Sequence, residues 1–124
     1  MRNHSMIDSF RYALNGIAVS IKDERNLKIQ MIVMMLVIIA GFLLKISRTE
    51  WIICIILFAL VISAEMINTA IENAIDYTRE MTVDKDNDLA RIAKDVSAGA
   101  VLVIAIASAI VGLIIFIPKV LLLL

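Results

Sequence analysis

The chain reads as an all-α integral membrane protein, with an N-terminal amphipathic surface helix followed by three transmembrane helices. Three observations predict this. Its 124 residues are 61% hydrophobic, above the roughly 45–50% of soluble domains, and its mean hydropathy is +0.93. Three long stretches within 29–46, 51–76 and 92–117 hold uncharged runs. The charges gather before and between those runs, and at one end of the second. A single domain, 1–124, is expected, because the chain is too short for two.

Residues 1–28 are expected to form the surface helix. Phe10, Leu14, Ile17, Ile21 and Leu27 recur at helical spacing, while Arg11, Lys22, Arg25 and Lys28 occupy the rest of the wheel. That is the pattern of a helix lying in a membrane interface. A helix packed on a soluble core is the alternative, but the remaining sequence offers no soluble core. No cleavable signal peptide is expected, because this segment lacks an apolar central region. His4 has no second metal-ligating residue near it and reads as a solvated tail residue.

The first span, 29–46, contains an unbroken apolar run over 31–44, with Lys28 and Lys45 placed to snorkel at its ends. With its flanks it reaches about 18 residues, at the short end of what crosses a bilayer. Residues 45–50 form a polar turn, and Trp51 is placed as an interfacial anchor for the second span. Fourteen uncharged residues follow, over 51–64, with the single Cys54 among them. A lone cysteine excludes a disulfide framework and packs as a small hydrophobe.

The second span, 51–76, then ends in a polar stripe. Glu65, Asn68, Thr69, Glu72 and Asp76 fall within roughly 100° of helical arc. Ionisable residues in a membrane segment are costly and mark function by default. At 1.5 Å per residue Glu65 lies about 21 Å below Trp51 and Glu72 about 32 Å. Against a hydrocarbon core of about 30 Å, Glu65 is addressed to lipid and Glu72 to water.

A charged loop without Pro or Gly covers 79–91, and the third span, 92–117, carries 22 uncharged residues over 96–117. Pro118 and Lys119 are expected to end it. Ala98, Gly99, Ala105, Ser108, Ala109 and Gly112 supply small surfaces for close helix contact.

Basic residues set the orientation. Five lie in the N-terminal segment and four in 79–94, against two in the 45–50 turn and one at the C-terminus. An excess of nine over three places the N-terminus, the stripe and the charged loop in the cytoplasm, and the chain in a cell membrane as a multi-pass protein. Twelve basic and twelve acidic residues cancel, so net charge names no partner, and no nucleic-acid partner is expected.

The same end gathers Glu24, Glu65, Asn68, Glu72, Asp76, Lys94 and Asp95. Carboxylates with an amide, and no Cys or His cluster, suit a hard cation, Mg²⁺ above Zn²⁺. The four glycines are scattered, so no phosphate-cradling Gly-rich loop is present. Asp76 reads equally as a helix-end charge pairing with Arg79 or Lys94 and as a catalytic group. Asn68 reads as a bond across helices or as a phosphate contact. Arg11, Arg25 and Lys28 read as anchors to anionic lipid or as phosphate contacts.

Four segments together resemble the small prokaryotic diacylglycerol kinase family. They are Phe10-Arg-Tyr-Ala-Leu-Asn-Gly16, Glu24-Arg-Asn-Leu-Lys-Ile-Gln30, the Glu-Met-Ile-Asn-Thr-Ala-Ile-Glu-Asn-Ala-Ile-Asp string over 65–76, and Ala93-Lys-Asp-Val-Ser-Ala-Gly-Ala-Val101. The closing Gly112-Leu-Ile-Ile-Phe-Ile-Pro-Lys119 resembles the Gram-positive branch, whose members are undecaprenol kinases. The resemblance implies a homotrimeric helical bundle with active sites shared between neighbouring chains, ATP and Mg²⁺ from the cytoplasm, and a lipid alcohol arriving through the bilayer. It assigns Glu65 as the proton acceptor for the lipid hydroxyl and Glu24 and Glu72 as metal-coordinating carboxylates. Asn68, Lys94 and Asp95 match positions lining the nucleotide phosphates, and Tyr12 a nucleotide contact. The loop over 81–88 departs from the family pattern, being longer and more acidic and lacking its His and Pro, so no adenine or ribose contact is carried over.

The residues agree with those roles. Phosphoryl transfer needs positioning and charge neutralisation more than covalent chemistry, and a deep, poorly solvated Glu65 suits a general base near neutral pH. The rival class is a small proton-coupled membrane transporter. It would need an even span count or inverted halves, and a carboxylate near the midplane.

Overall fold

The structure is a computed structural model that describes residues 5–83 and 87–124. Arg2, His4 and the 84–86 part of the charged loop lie outside the described residues. Four helices follow in order: α1 (Met6–Asp23), α2 (Arg25–Leu43), α3 (Arg48–Glu80) and α4 (Asp88–Leu123). No strand occurs among the described residues. Helices α2, α3 and α4 are each long and apolar enough to cross a membrane.

α1 starts at a capping box, in which the Ser5 hydroxyl accepts from the Asp8 N–H at 3.3 Å and the Asp8 carboxylate accepts from the Ser5 N–H at 3.4 Å. It buries no residue. Met6, Ile7 and Phe10 are all strongly exposed. The single helix expected over 1–28 is divided at Glu24, whose extended backbone (φ −98°, ψ 115°) closes α1 and opens α2. Nothing local forces this break, since neither Pro nor Gly lies nearby. Leu27, in the first turn of α2, is 0% exposed and is the largest fully buried side chain among the described residues. With the break at Glu24, Leu27 and Lys28 belong to α2 rather than to the surface helix.

α2 closes in a Schellman motif: the Ile46 N–H donates to the Gly41 carbonyl at 3.1 Å and Lys45 takes φ 54°. α3 opens at once on a second capping box, between Ser47 and Glu50. Its 33 residues extend for about 50 Å, so the helix runs past the stripe to Glu80. α4 begins at Asp88, four residues before the expected start, because the Asn87 side chain caps the Leu89 and Ala90 N–H groups. It also continues through Pro118 to Leu123, beyond the end expected at 117. The proline costs the Ile114 carbonyl its helical donor, yet Lys119, one residue on, is tied to Glu50 at 3.0 Å.

α3 is the hub, approached closely by each of the other helices, while α4 approaches α3 alone. The two ends of the bundle are joined differently. At the turn end Ile46, Cys54 and Ile115 form a small buried cluster, with Trp51, Val37 and Val111 packed around it. At the other end, beside Leu27, three of the buried residues are polar: Glu65, Asn68 and Ser97.

Candidate active site at the polar end of the bundle

Glu65 is 3% exposed and Asn68 7%, although both follow directly on the apolar turns of α3 over 51–64. Side chains from α2 cover the first of them. The amides of Asn26 and Gln30 face the Glu65 carboxylate, and Glu24 and Glu72 lie close enough to act on it electrostatically. Two further carboxylates, one at the α1–α2 break and one two turns along α3, thus act on Glu65 through their charge. Glu24 caps neither helix with its side chain, so its carboxylate is not spent on the break that it makes.

Asn68 joins this group to α4. Its Nδ2 donates to Glu72 Oε1 at 3.2 Å, and its Oδ1 accepts from the Ser97 hydroxyl at 2.6 Å. One turn further, Lys94 Nζ pairs with Asp76 Oδ1 at 3.0 Å. Of the two readings for Asp76, the helix-end pair with Lys94 is therefore formed. Asn68 bonds across helices while keeping one N–H free of those two bonds.

Asp95 is exposed on α4 and Tyr12 is 47% exposed on α1. A cleft of about 430 Å³ opens between α1 and α3, lined by Asn15, Ser20, Glu24, Thr69 and Asn73 among others. A second, of about 490 Å³, lies between the end of α3 and the start of α4, with Thr78 and Arg79 on its wall.

Among the described residues no group of three or more His, Cys, Asp or Glu side chains is gathered tightly enough to hold a metal alone. Glu24 and Glu72 nevertheless fit a Mg²⁺ site of the kind completed by substrate. Such sites use one or two protein carboxylates with phosphate and water oxygens. Glu72 spends only Oε1 on Asn68.

Sequence reasoning missed Asn26, Gln30 and Ser97. The first two lie within the 24–30 segment, in the opening turns of α2 that follow the break at Glu24. Ser97 had a weak signal, being a lone hydroxyl among Val96, Ala98, Gly99 and Ala100.

With this arrangement in view, the comparisons with known proteins are decisive. The family described as prokaryotic diacylglycerol kinase matches residues 11–116. This chain belongs to that family. It is 42% identical over 111 residues to the undecaprenol kinase of Bacillus subtilis (strain 168), covering 90% of this chain and 87% of the relative. It is 36% identical over 117 residues to a diacylglycerol kinase of Synechocystis sp., covering 94% of this chain and 65% of that protein. No solved structure gives a significant match. The family and both relatives are kinases, and nothing among these matches supports a transporter.

Proposed function

We propose that this chain, a lipid kinase by its family, transfers the γ-phosphoryl group of ATP to the hydroxyl of a membrane lipid alcohol, with undecaprenol preferred over diacylglycerol. The observation that carries the reading is Glu65: a carboxylate 3% exposed, one turn from buried Asn68 and two turns from half-buried Glu72 on the same helix. Preference for the polyprenol rests on the 42% identity to the B. subtilis undecaprenol kinase.

Glu65 accepts the hydroxyl proton as the lipid oxygen bonds to the γ-phosphorus. The bond from that phosphorus to the β,γ-bridging oxygen breaks, and ADP leaves with the electron pair. Asn26 and Gln30 orient the Glu65 carboxylate through their amides. Glu24 and Glu72 are the metal-coordinating carboxylates, and Mg²⁺, when bound there, neutralises charge on the phosphates. Lys94, steered by Asp76, supplies a cation toward the phosphates. The remaining Asn68 N–H donates to a phosphate oxygen, while Asp95 and Tyr12 complete the nucleotide contacts. The polar end faces the cytoplasm of a cell-membrane protein, α1 lies in the interface as an amphipathic helix, and three copies form the working assembly.

Purified protein in detergent, given labelled ATP, Mg²⁺ and either lipid, tests the reading. Mg²⁺-dependent label in undecaprenyl phosphate, with a higher kcat/KM than for diacylglycerol, is the expected result. Label in neither lipid overturns the assignment, and a preference for diacylglycerol overturns the choice of acceptor. Glu65→Gln should abolish turnover while ATP·Mg²⁺ still binds. Loss of nucleotide binding instead would remove Glu65 from the role of base.

A further inference from the structure

We propose that Ser97 is a positioning residue for phosphoryl transfer, acting through the Asn68 amide to hold the Glu72 carboxylate in place. The inference rests on the reading of Glu72 as a metal-coordinating group.

A hydroxyl carries one proton to donate. Ser97 Oγ stands 2.6 Å from Asn68 Oδ1 and 3.1 Å from the Lys94 carbonyl oxygen. The shorter contact takes the proton, which fixes Oδ1 as the Asn68 atom facing α4. Nδ2 must then face the other way, where it donates to Glu72 Oε1 at 3.2 Å.

A flipped amide would send Nδ2 to Ser97 and turn the Ser97 proton to the Lys94 carbonyl. Asn68 Oδ1 would then confront a carboxylate oxygen, acceptor against acceptor. Glu72 Oε1 as acceptor and the Ser97 hydroxyl as donor therefore select the same orientation from opposite sides. With Ser97 8% and Asn68 7% exposed, water has little access to substitute for either partner, and an unmet buried acceptor is costly.

The chain reaches from one helix to another. Asn68 and Glu72 are one turn apart on α3, whereas Ser97 belongs to α4. Packing between the two longest helices is thereby linked to the geometry of one carboxylate. Apolar packing alone does not call for a hydroxyl at 97, since the flanking residues are Val96 and Ala98 and an alanine would suit a span as well.

The test compares Ser97→Ala, Ser97→Thr and Glu72→Gln in the full-length protein in detergent. Mn²⁺ binding with a non-hydrolysable ATP analogue is followed by electron paramagnetic resonance, beside a Mg²⁺ titration of turnover. Ser97→Ala is expected to raise the half-saturating concentration of both metals about tenfold, the low end for groups that orient a metal ligand. Ser97→Thr, which keeps the hydroxyl, should return both toward the parent value. Lowered thermal stability of Ser97→Ala with unchanged metal titrations would mean a packing role only and overturn the proposal. If Glu72→Gln shifts both titrations and Ser97→Ala neither, the proposal fails and the metal reading stands. If Glu72→Gln shifts neither, the two fall together.

Discussion

The pair between Lys94 and Asp76 shows how a single contact bears on the chemistry. Lys94 Nζ lies 3.0 Å from Asp76 Oδ1, with side chains 29% and 55% exposed. Such a half-exposed pair contributes at most about 1 kcal/mol, so its importance is directional: it aims the ammonium along α3, one turn from Glu72. Asp76→Asn keeps the shape and removes the charge. Its expected effect is a rise of up to about fivefold in KM for ATP, the size of that coupling, with kcat changed less. A collapse of kcat with KM for ATP unmoved would instead place Asp76 in the chemistry. The stripe itself was legible residue by residue, because depth along a helix follows from counting. What counting does not give is which side chains of another helix meet the stripe. Asn26 and Gln30, which act on Glu65, stand in the opening turns of α2 just after the break at Glu24, beside Leu27 at 0% exposed; that packing is tertiary, and neither Pro nor Gly marks the break in the sequence.

At the scale of elements, the α2–α3 connection is held by one close approach. A Cβ built on Gly41 would sit 2.6 and 2.8 Å from two ring atoms of Trp51, and 3.1 Å from Ile46. The Trp51 ring also stacks at a tilt on Phe42, with centroids 4.9 Å apart. Placed by the sequence as an anchor toward lipid headgroups, Trp51 is half-buried and packs back on the preceding helix. Gly41→Ala must push a rigid ring aside, a strain of about 1–3 kcal/mol in a packed site. The chain holds one Trp, so its fluorescence spectrum should shift in that variant as the melting temperature falls. An unshifted spectrum with unchanged melting would show that the helices can part there without cost. Lys45 presents the opposite case. Its φ of 54° is left-handed, and Lys45→Gly should stabilise the turn by about 1 kcal/mol, read as a raised melting temperature. Element ends were the least legible part of the chain. The Asn87 cap starts α4 early, and the ion pair from Lys119 to Glu50 accompanies a helix that runs past Pro118.

For the whole molecule, the decisive fact is how little one chain buries. Within the most apolar 18-residue stretch of each candidate span only 11% to 17% is buried, and apolar side chains such as Leu102, Val103 and Ile114 stand exposed. Lipid accounts for such surface, but not for the placement of the site residues. α4 approaches α3 alone, and Asp95 stands exposed on it. Gly99 and Gly112, expected to let helices touch, have nothing within 4 Å of an added Cβ, and their small surfaces are open to another copy. The proposed trimer with shared sites makes sense of both observations: the Asp95 that serves a given Glu65 comes from a neighbour. Glu65→Gln and Asp95→Asn should then each be inactive alone, yet co-reconstituted chains should regain activity, because some mixed assemblies contain a site with both native residues. The measurement is turnover as a function of mixing ratio, with exchange of subunits verified by native mass spectrometry. Mixed assemblies that form and stay inactive at every ratio would mean that Glu65 and Asp95 serve a common site from within the same chain, and the shared-site arrangement would have to be abandoned.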